Sequence, residues 1–148
     1  MADVHSKKVR SFNMSRIRGK DTQPKIIVRK FLFSKGLRYK LHDKKLPGKP
    51  DLVFPKYRKV VFVHGCFWHG HAGCKFIVLP KTRTEWWLKK ITTNKLNDKK
   101  SIRALKRNGW TVITVWECSL KAGKKKATLN SLINKFYILK DKNKYLCN

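Results

Sequence analysis

The chain has 148 residues, 41% of them hydrophobic, which is enough for one real core and points to one globular domain. Thirty-seven Lys and Arg against eight Asp and Glu leave a formal charge of +29, which disfavours basic partners and calls for a polyanion, with nucleic acid first among them. The longest apolar stretch, around Val60–Val63, is far too short to cross a bilayer, and the polar opening MADVHSKKVR has no secretion-signal pattern.

Residues 1–20 are basic and weakly patterned and read as a DNA-contacting arm; residues 21–148 read as a single domain. Thr22 and Pro24 open a helix whose apolar positions Ile27, Val28, Phe31 and Leu32 share a face, with Gly36 as its stop. Leu37–Leu41 and Asp51–Phe54 read as strands. Lys59–Val63 reads as a third, apolar throughout and so expected at the centre of a sheet. Thr82 or Thr84 can cap a long helix from Glu85 to about Arg107, ended by Asn108-Gly109. A buried strand Trp110–Trp116 and a last helix over Thr128–Tyr137 complete an α/β layer fold.

Chemistry concentrates in HGCFWHGHAGC, His64 to Cys74. Cys66, His71, Cys74 and Cys118 make the most economical tetrahedral zinc set, with His69 as a competing ligand. Three thiolates and one imidazole close every position, as in structural sites. The plainer alternative is reduced cysteines beside solvated histidines. In a cytoplasmic, nucleoid-associated protein, the expected location, such thiols mean metal more often than disulfide. Cys147, at the chain's end, reads as a bystander.

Asp51 ends the loop LPGKPD and opens a strand, and acids are scarce in this chain. Magnesium is commonly held by one or two carboxylates, waters and substrate phosphate. Asp51 with a backbone carbonyl of the neighbouring strand could suffice, His64 and His69 orienting or deprotonating the attacking water. A turn-forming Asp after Pro is the competing structural role. The adjacent rings Phe67 and Trp68 suit a wedge between bases. Trp87, Lys90, Asn94 and Lys95 recur at helical spacing. Trp86 and Trp87 are consecutive, so one of the two is expected in the core.

Taken together, LPGKPD at 46–51, VFVHGCFWHGHAGC at 61–74, PKTRTEWWLKKI at 80–91 and VWEC at 115–118 resemble the very-short-patch repair endonucleases. The opening MADVHSKKVRSFNMSRIRGKDT is similar to that family's start, so the likeness runs to about residue 120. It implies a restriction-endonuclease-like core, a mixed sheet flanked by helices with a structural zinc loop. It implies a monomer that nicks double-stranded DNA on the 5′ side of the mismatched thymine in T:G mismatches left by 5-methylcytosine deamination. Magnesium would lie on Asp51 and the Val63 carbonyl, with His69 serving the water and His64 the phosphate. Zinc would lie on Cys66, His71, Cys74 and Cys118. Phe67, Trp68 and Trp87 would wedge from the major groove, Met14 would enter from the opposite side, and Lys90 and Asn94 would read the mismatch. The resemblance also admits an accessory mismatch-repair protein, and it involves no membrane.

One position departs from the family, which usually carries a glutamate where this chain has Lys25. A cation cannot ligate magnesium, so nicking at a reduced rate is expected. Two rival functions remain: a zinc-stapled basic protein that binds nucleic acid with weak or lost nuclease activity, and a dimeric restriction enzyme cutting both strands of a palindrome.

Overall fold

A computed structural model describes residues 22–146, with side chains described through Tyr137. The N-terminal arm, Met14 and Cys147 lie outside the described residues. Helix α1 (Gln23–Ser34) carries Pro24 in its first turn. The strands are β1 (Lys40–Leu41), β2 (Leu52–Phe54), β3 (Lys59–His64) and β4 (Thr111–Trp116); helices α2 (Thr84–Arg107) and α3 (Lys125–Leu146) complete the set.

The four strands form one mixed sheet in the order β1-β2-β3-β4, antiparallel at the first two pairings and parallel at the third. The long helix α2 supplies the crossover that a parallel pair requires. All six residues of β3 are buried, because it has a strand on either side and a helical layer on each face. Side chains alternate along it. Val61 and Val63 face Val28 and Leu32 of α1 and Leu132 and Phe136 of α3. Val60 and Phe62 face Leu105 of α2. His64 continues that second series, toward α2. The expected α/β layer fold is therefore the one observed.

Three local expectations are corrected. The first strand shrinks to Lys40–Leu41, because Leu37 is buried in the core and Tyr39 donates through its hydroxyl to the Arg29 carbonyl at 3.1 Å. Neither threonine caps α2: Arg83 takes the cap position at φ 56°, while the Thr84 hydroxyl donates to the Pro80 carbonyl at 2.9 Å. Strand β4 is an edge strand with only Ile113 and Val115 buried, since β3 covers one flank alone. The end of α2 is as expected: Gly109, at φ 85°, turns the chain so that the Trp110 N–H reaches the Leu105 carbonyl at 3.1 Å.

The charged start of β3 is accommodated rather than excluded. Lys59 is only 1% exposed, and its ammonium donates to the Lys135 carbonyl and lies over the Phe136 ring at 5.0 Å. Burial lowers its pKa.

Candidate functional site

The C-terminal ends of β3 and β4, the loop that follows β3 and the adjoining face of α2 bring the sequence-predicted residues together. The β2–β3 ladder stops at Leu52 opposite Val61. Beyond it, the Asp51 side chain takes over: Oδ2 accepts the Val63 N–H at 2.7 Å. Its second oxygen, Oδ1, accepts the Lys25 ammonium of α1 at 2.9 Å. Asp51 is 8% exposed, so this carboxylate is fixed by backbone on one side and by a cation on the other.

His64 ends β3, 5% exposed, packed edge-on against Trp116 with ring centroids 5.3 Å apart. Burial, the neighbouring His69 and Lys25 together push its pKa down to about 3, so the ring is neutral. His69 lies face to face with it, centroids 3.8 Å apart and planes 7° from parallel. The outer edge of His69 is held by α2, where Nδ1 meets Asp98 Oδ2 at 2.7 Å. With Nδ1–H donating to that carboxylate, Nε2 is left as a proton acceptor. Ligand atoms of His64, His69 and Asp98 lie within 4.8 Å of one another. Because the two ring planes are nearly parallel, their in-plane lone pairs do not converge on one point. The trio therefore suits proton handling better than metal binding.

Cys66, His71, Cys74 and Cys118 form a second cluster, with every pair of ligand atoms within 4.8 Å. Cys118 Sγ and His71 Nδ1 are 3.4 Å apart, and the Cys118 N–H donates to Cys66 Sγ at 3.4 Å. The parallel pairing of β3 with β4 sets His64 opposite Trp116, which brings Cys118 beside Cys66. His71 stacks on Trp116 with centroids 4.1 Å apart, which fixes the imidazole. Burial pushes the Cys66 thiol up to about 12, while the Phe76 backbone N–H lowers Cys74. Three thiols and one imidazole this close, with Cys66 buried and Cys74 and Cys118 partly so, form a soft donor set that suits a dication of zinc's size. His69, the competing ligand, is turned instead toward Asp98.

The aromatic residues gather at the same end. Phe67, Trp68 and Trp87 are each half-buried, with mutual centroid distances of 5.4–5.7 Å. Trp86 joins through Trp87 at 4.8 Å and is 52% exposed. Neither indole of that pair lies in the core, contrary to expectation: α2 is broadly exposed here, so consecutive positions both stay at the surface. Lys90 is exposed on the same helix. Asn94 is half-buried, and its amide donates to the Trp68 carbonyl at 2.8 Å, tying the aromatic loop to α2.

Sequence reasoning missed Asp98. It lies 29 residues beyond His69 in a lysine-rich helix, where an acid reads as a solvated surface charge. The scarcity of acids, already the signal for Asp51, applied equally to it.

A buried carboxylate at the sheet's end, a stacked pair of imidazoles and a Cys/His group that could hold a metal ion share one end of an α/β sheet. The family model of the DNA mismatch endonuclease Vsr matches residues 2–75. The type II nicking enzyme V.NmeAIP of Neisseria meningitidis is 50% identical over 121 residues, 82% of this chain and 86% of that protein. The DNA mismatch endonuclease Vsr of Escherichia coli K12 is 46% identical over 132 residues, 89% and 83% of the two chains. The type II nicking enzyme V.XorIIP of Xanthomonas oryzae pv. oryzae is 45% identical over 135 residues, 90% and 98%. The chain belongs to the Vsr family of DNA mismatch endonucleases. It is accordingly an endonuclease, and its mixed sheet flanked by helices is the restriction-endonuclease-like core that the resemblance implied. Among the described residues no helix is long and apolar enough to cross a membrane.

Proposed function

We propose that this protein is a magnesium-dependent, strand-specific nickase of double-stranded DNA, cutting on the 5′ side of the thymine in T:G mismatches. The observation that carries the reading is Asp51, buried and fixed by the Val63 N–H, beside the His64–His69–Asp98 series. The ammonium on Asp51 Oδ1 supports a fit with magnesium, since that oxygen already takes a cation. In a strand the N–H and C=O of one residue point to the same side, so the Val63 carbonyl is directed toward the Asp51 side as a second oxygen donor. Bound there, magnesium would supply charge neutralisation at the phosphate and a more acidic water.

The chain's own groups do the rest. His69 Nε2 accepts the proton of the attacking water, while Asp98 holds the ring and steadies the positive charge that the ring then gains. His64, neutral through burial, offers a hydrogen bond toward the phosphate without adding a charge that would repel the metal. Phe67, Trp68 and Trp87 form the wedge, and Lys90 lies beside them. Unstacking a base step costs roughly a few kcal/mol, least at a step already weakened by mispairing, so insertion favours the mismatch. Zinc on Cys66, His71, Cys74 and Cys118 would hold the loop that carries His69 and the rings. A mismatch has no two-fold symmetry, so a monomer suffices.

The deciding experiment is a strand-resolved nicking assay on otherwise identical T:G, C:G and T:A duplexes with added Mg²⁺, using the native chain and Asp51→Ala. Nicking of the thymine strand of T:G alone, lost in the variant while DNA binding persists, is the expected result. Equal cutting of all three duplexes, or of both strands, would refute it.

A further inference from the structure

Lys25 stands where the catalytic cation has to go. Asp51 offers two carboxylate oxygens: the Val63 N–H engages Oδ2 at 2.7 Å, and the Lys25 ammonium lies 2.9 Å from Oδ1. The backbone bond is part of the sheet's end and cannot be given up cheaply. The ammonium sits on four flexible methylenes and can move. A divalent ion arriving at Asp51 therefore meets a competitor of like charge on the one oxygen open to exchange.

We infer that Lys25 is a tethered counter-cation that competes with the divalent metal for Asp51 Oδ1 and yields it when a DNA phosphate draws the ammonium away. The inference rests on Asp51 being the metal ligand, as argued above. Two features give it direction. The pair is largely shielded, with side chains 18% and 11% exposed, so solvent screens the competition weakly. Lys25 also reaches Oδ1 from α1, while the Val63 N–H engages the other oxygen, and its long side chain could follow a phosphate bound at the same centre. Metal affinity and DNA affinity are then coupled, and the coupling is reciprocal. Free protein holds its metal weakly; DNA-bound protein holds it well.

The test is Mn²⁺ binding by electron paramagnetic resonance on zinc-loaded, full-length protein, comparing the native chain with Lys25→Met, Lys25→Gln and Asp51→Asn. Each is measured alone and with a duplex already nicked beside the mismatched thymine, which presents a phosphate but cannot be cut again. The DNA's own Mn²⁺ uptake is subtracted. Without DNA, both Lys25 variants should bind Mn²⁺ roughly tenfold tighter than the native chain, the order expected for removing one charge-assisted competitor. Adding the duplex should tighten native binding by a similar factor and change the variants much less. Equal affinity of native and Lys25 variants without DNA overturns the competition. A duplex effect of the same size in all of them overturns the role of the phosphate. If Asp51→Asn keeps native Mn²⁺ affinity, it is instead the assignment of Asp51 as metal ligand that fails.

Discussion

The rings of His64 and His69 lie 3.8 Å apart and nearly parallel, although one belongs to the end of a central strand and the other to the loop after it. Stacking makes the two unequal. The inner ring, buried against Trp116, is held neutral with its pKa near 3, while the outer ring is free to use the carboxylate of Asp98. Two imidazoles five residues apart thus sit in different surroundings, one buried against Trp116 and one paired with Asp98, which suits the separate tasks proposed for them at the phosphate and at the water.

On the proposed mechanism Asp98 is a positioning residue. Asp98→Asn keeps the size of the side chain but removes the carboxylate that holds His69 Nδ1 at 2.7 Å. The nicking rate at saturating Mg²⁺ should fall by roughly 10- to 100-fold, the usual loss when a partner that orients an active-site imidazole is removed. Affinity for a T:G duplex should stay within about twofold, since Asp98 is placed to act on His69 and not on DNA. Rapid-quench rates beside filter-binding constants would separate the two, and an unchanged rate would remove Asp98 from the mechanism.

His64 also links stability to pH. In the folded protein it stays neutral down to about pH 3, whereas in the unfolded chain it protonates near the ordinary 6.5. Below about 6.5 the unfolded state takes up the proton first, so stability falls as pH drops from about 6.5 toward 3 and is unaffected above that window. The slope from this one residue is at most about 1.4 kcal/mol per pH unit. Urea midpoints of zinc-loaded protein, measured between about pH 7 and about pH 5, should fall more steeply for the native chain than for His64→Asn. Parallel slopes would mean that His64 titrates alike in the folded and unfolded states.

The cysteine cluster should contain one zinc per chain, and Cys118→Ser should lose it. Because Cys118 joins the end of β4 to the loop after β3, the loss releases the segment that carries His69 and the aromatic rings. If only ~3 kcal/mol of the metal's contribution to folding disappears, Tm should drop by roughly 10 °C. Metal analysis by mass spectrometry with a thermal melt checks both. A variant that retains its zinc and its Tm would show that Cys118 is no ligand.

How much of this was legible in the sequence differs from residue to residue. The central position of β3 could be read because a strand buried on both faces has to be apolar on both. His64, Cys66, His71 and Cys74 drew notice as one short run, Asp51 as a scarce acid before a strand and Cys118 as a thiol just past one, and the structure brings Cys118 into one group with the first cysteines. Asp98 could not, since its partner is His69 and only the packing of α2 on the loop brings them together. That Lys25 stands near Asp51 was implied only by the family resemblance, and its direct pairing with Oδ1 shows where α1 packs against the start of β2. The start of α2 misled because Thr82 and Thr84 both look like caps, yet the chain turns at Arg83 in the left-handed region.

Besides the His69–Asp98 pair, the aromatic loop meets α2 at the Asn94–Trp68 bond and, more tightly, at Gly70. A Cβ there would meet Ile91 Cγ2 at 2.6 Å and Lys95 Cδ at 2.7 Å, in a backbone with φ +58° that side chains rarely adopt. Ile91 is buried and cannot retreat, unlike the lysine. Gly70→Ala should therefore lift the loop from the helix, stretch the 2.8 Å bond from Asn94 to the Trp68 carbonyl, and cost about 1–3 kcal/mol. Trp68 and Trp87 would then separate from their present 5.7 Å, which changes tryptophan emission in the absence of DNA. Asn94→Ala removes the hydrogen bond to Trp68 without the steric push, so its change in emission without DNA should be smaller and of the same sign. Discrimination between T:G and C:G duplexes should fall in Gly70→Ala relative to the native chain. A Gly70→Ala protein with native emission and native discrimination would show that the loop's seat on α2 does not set the position of the rings.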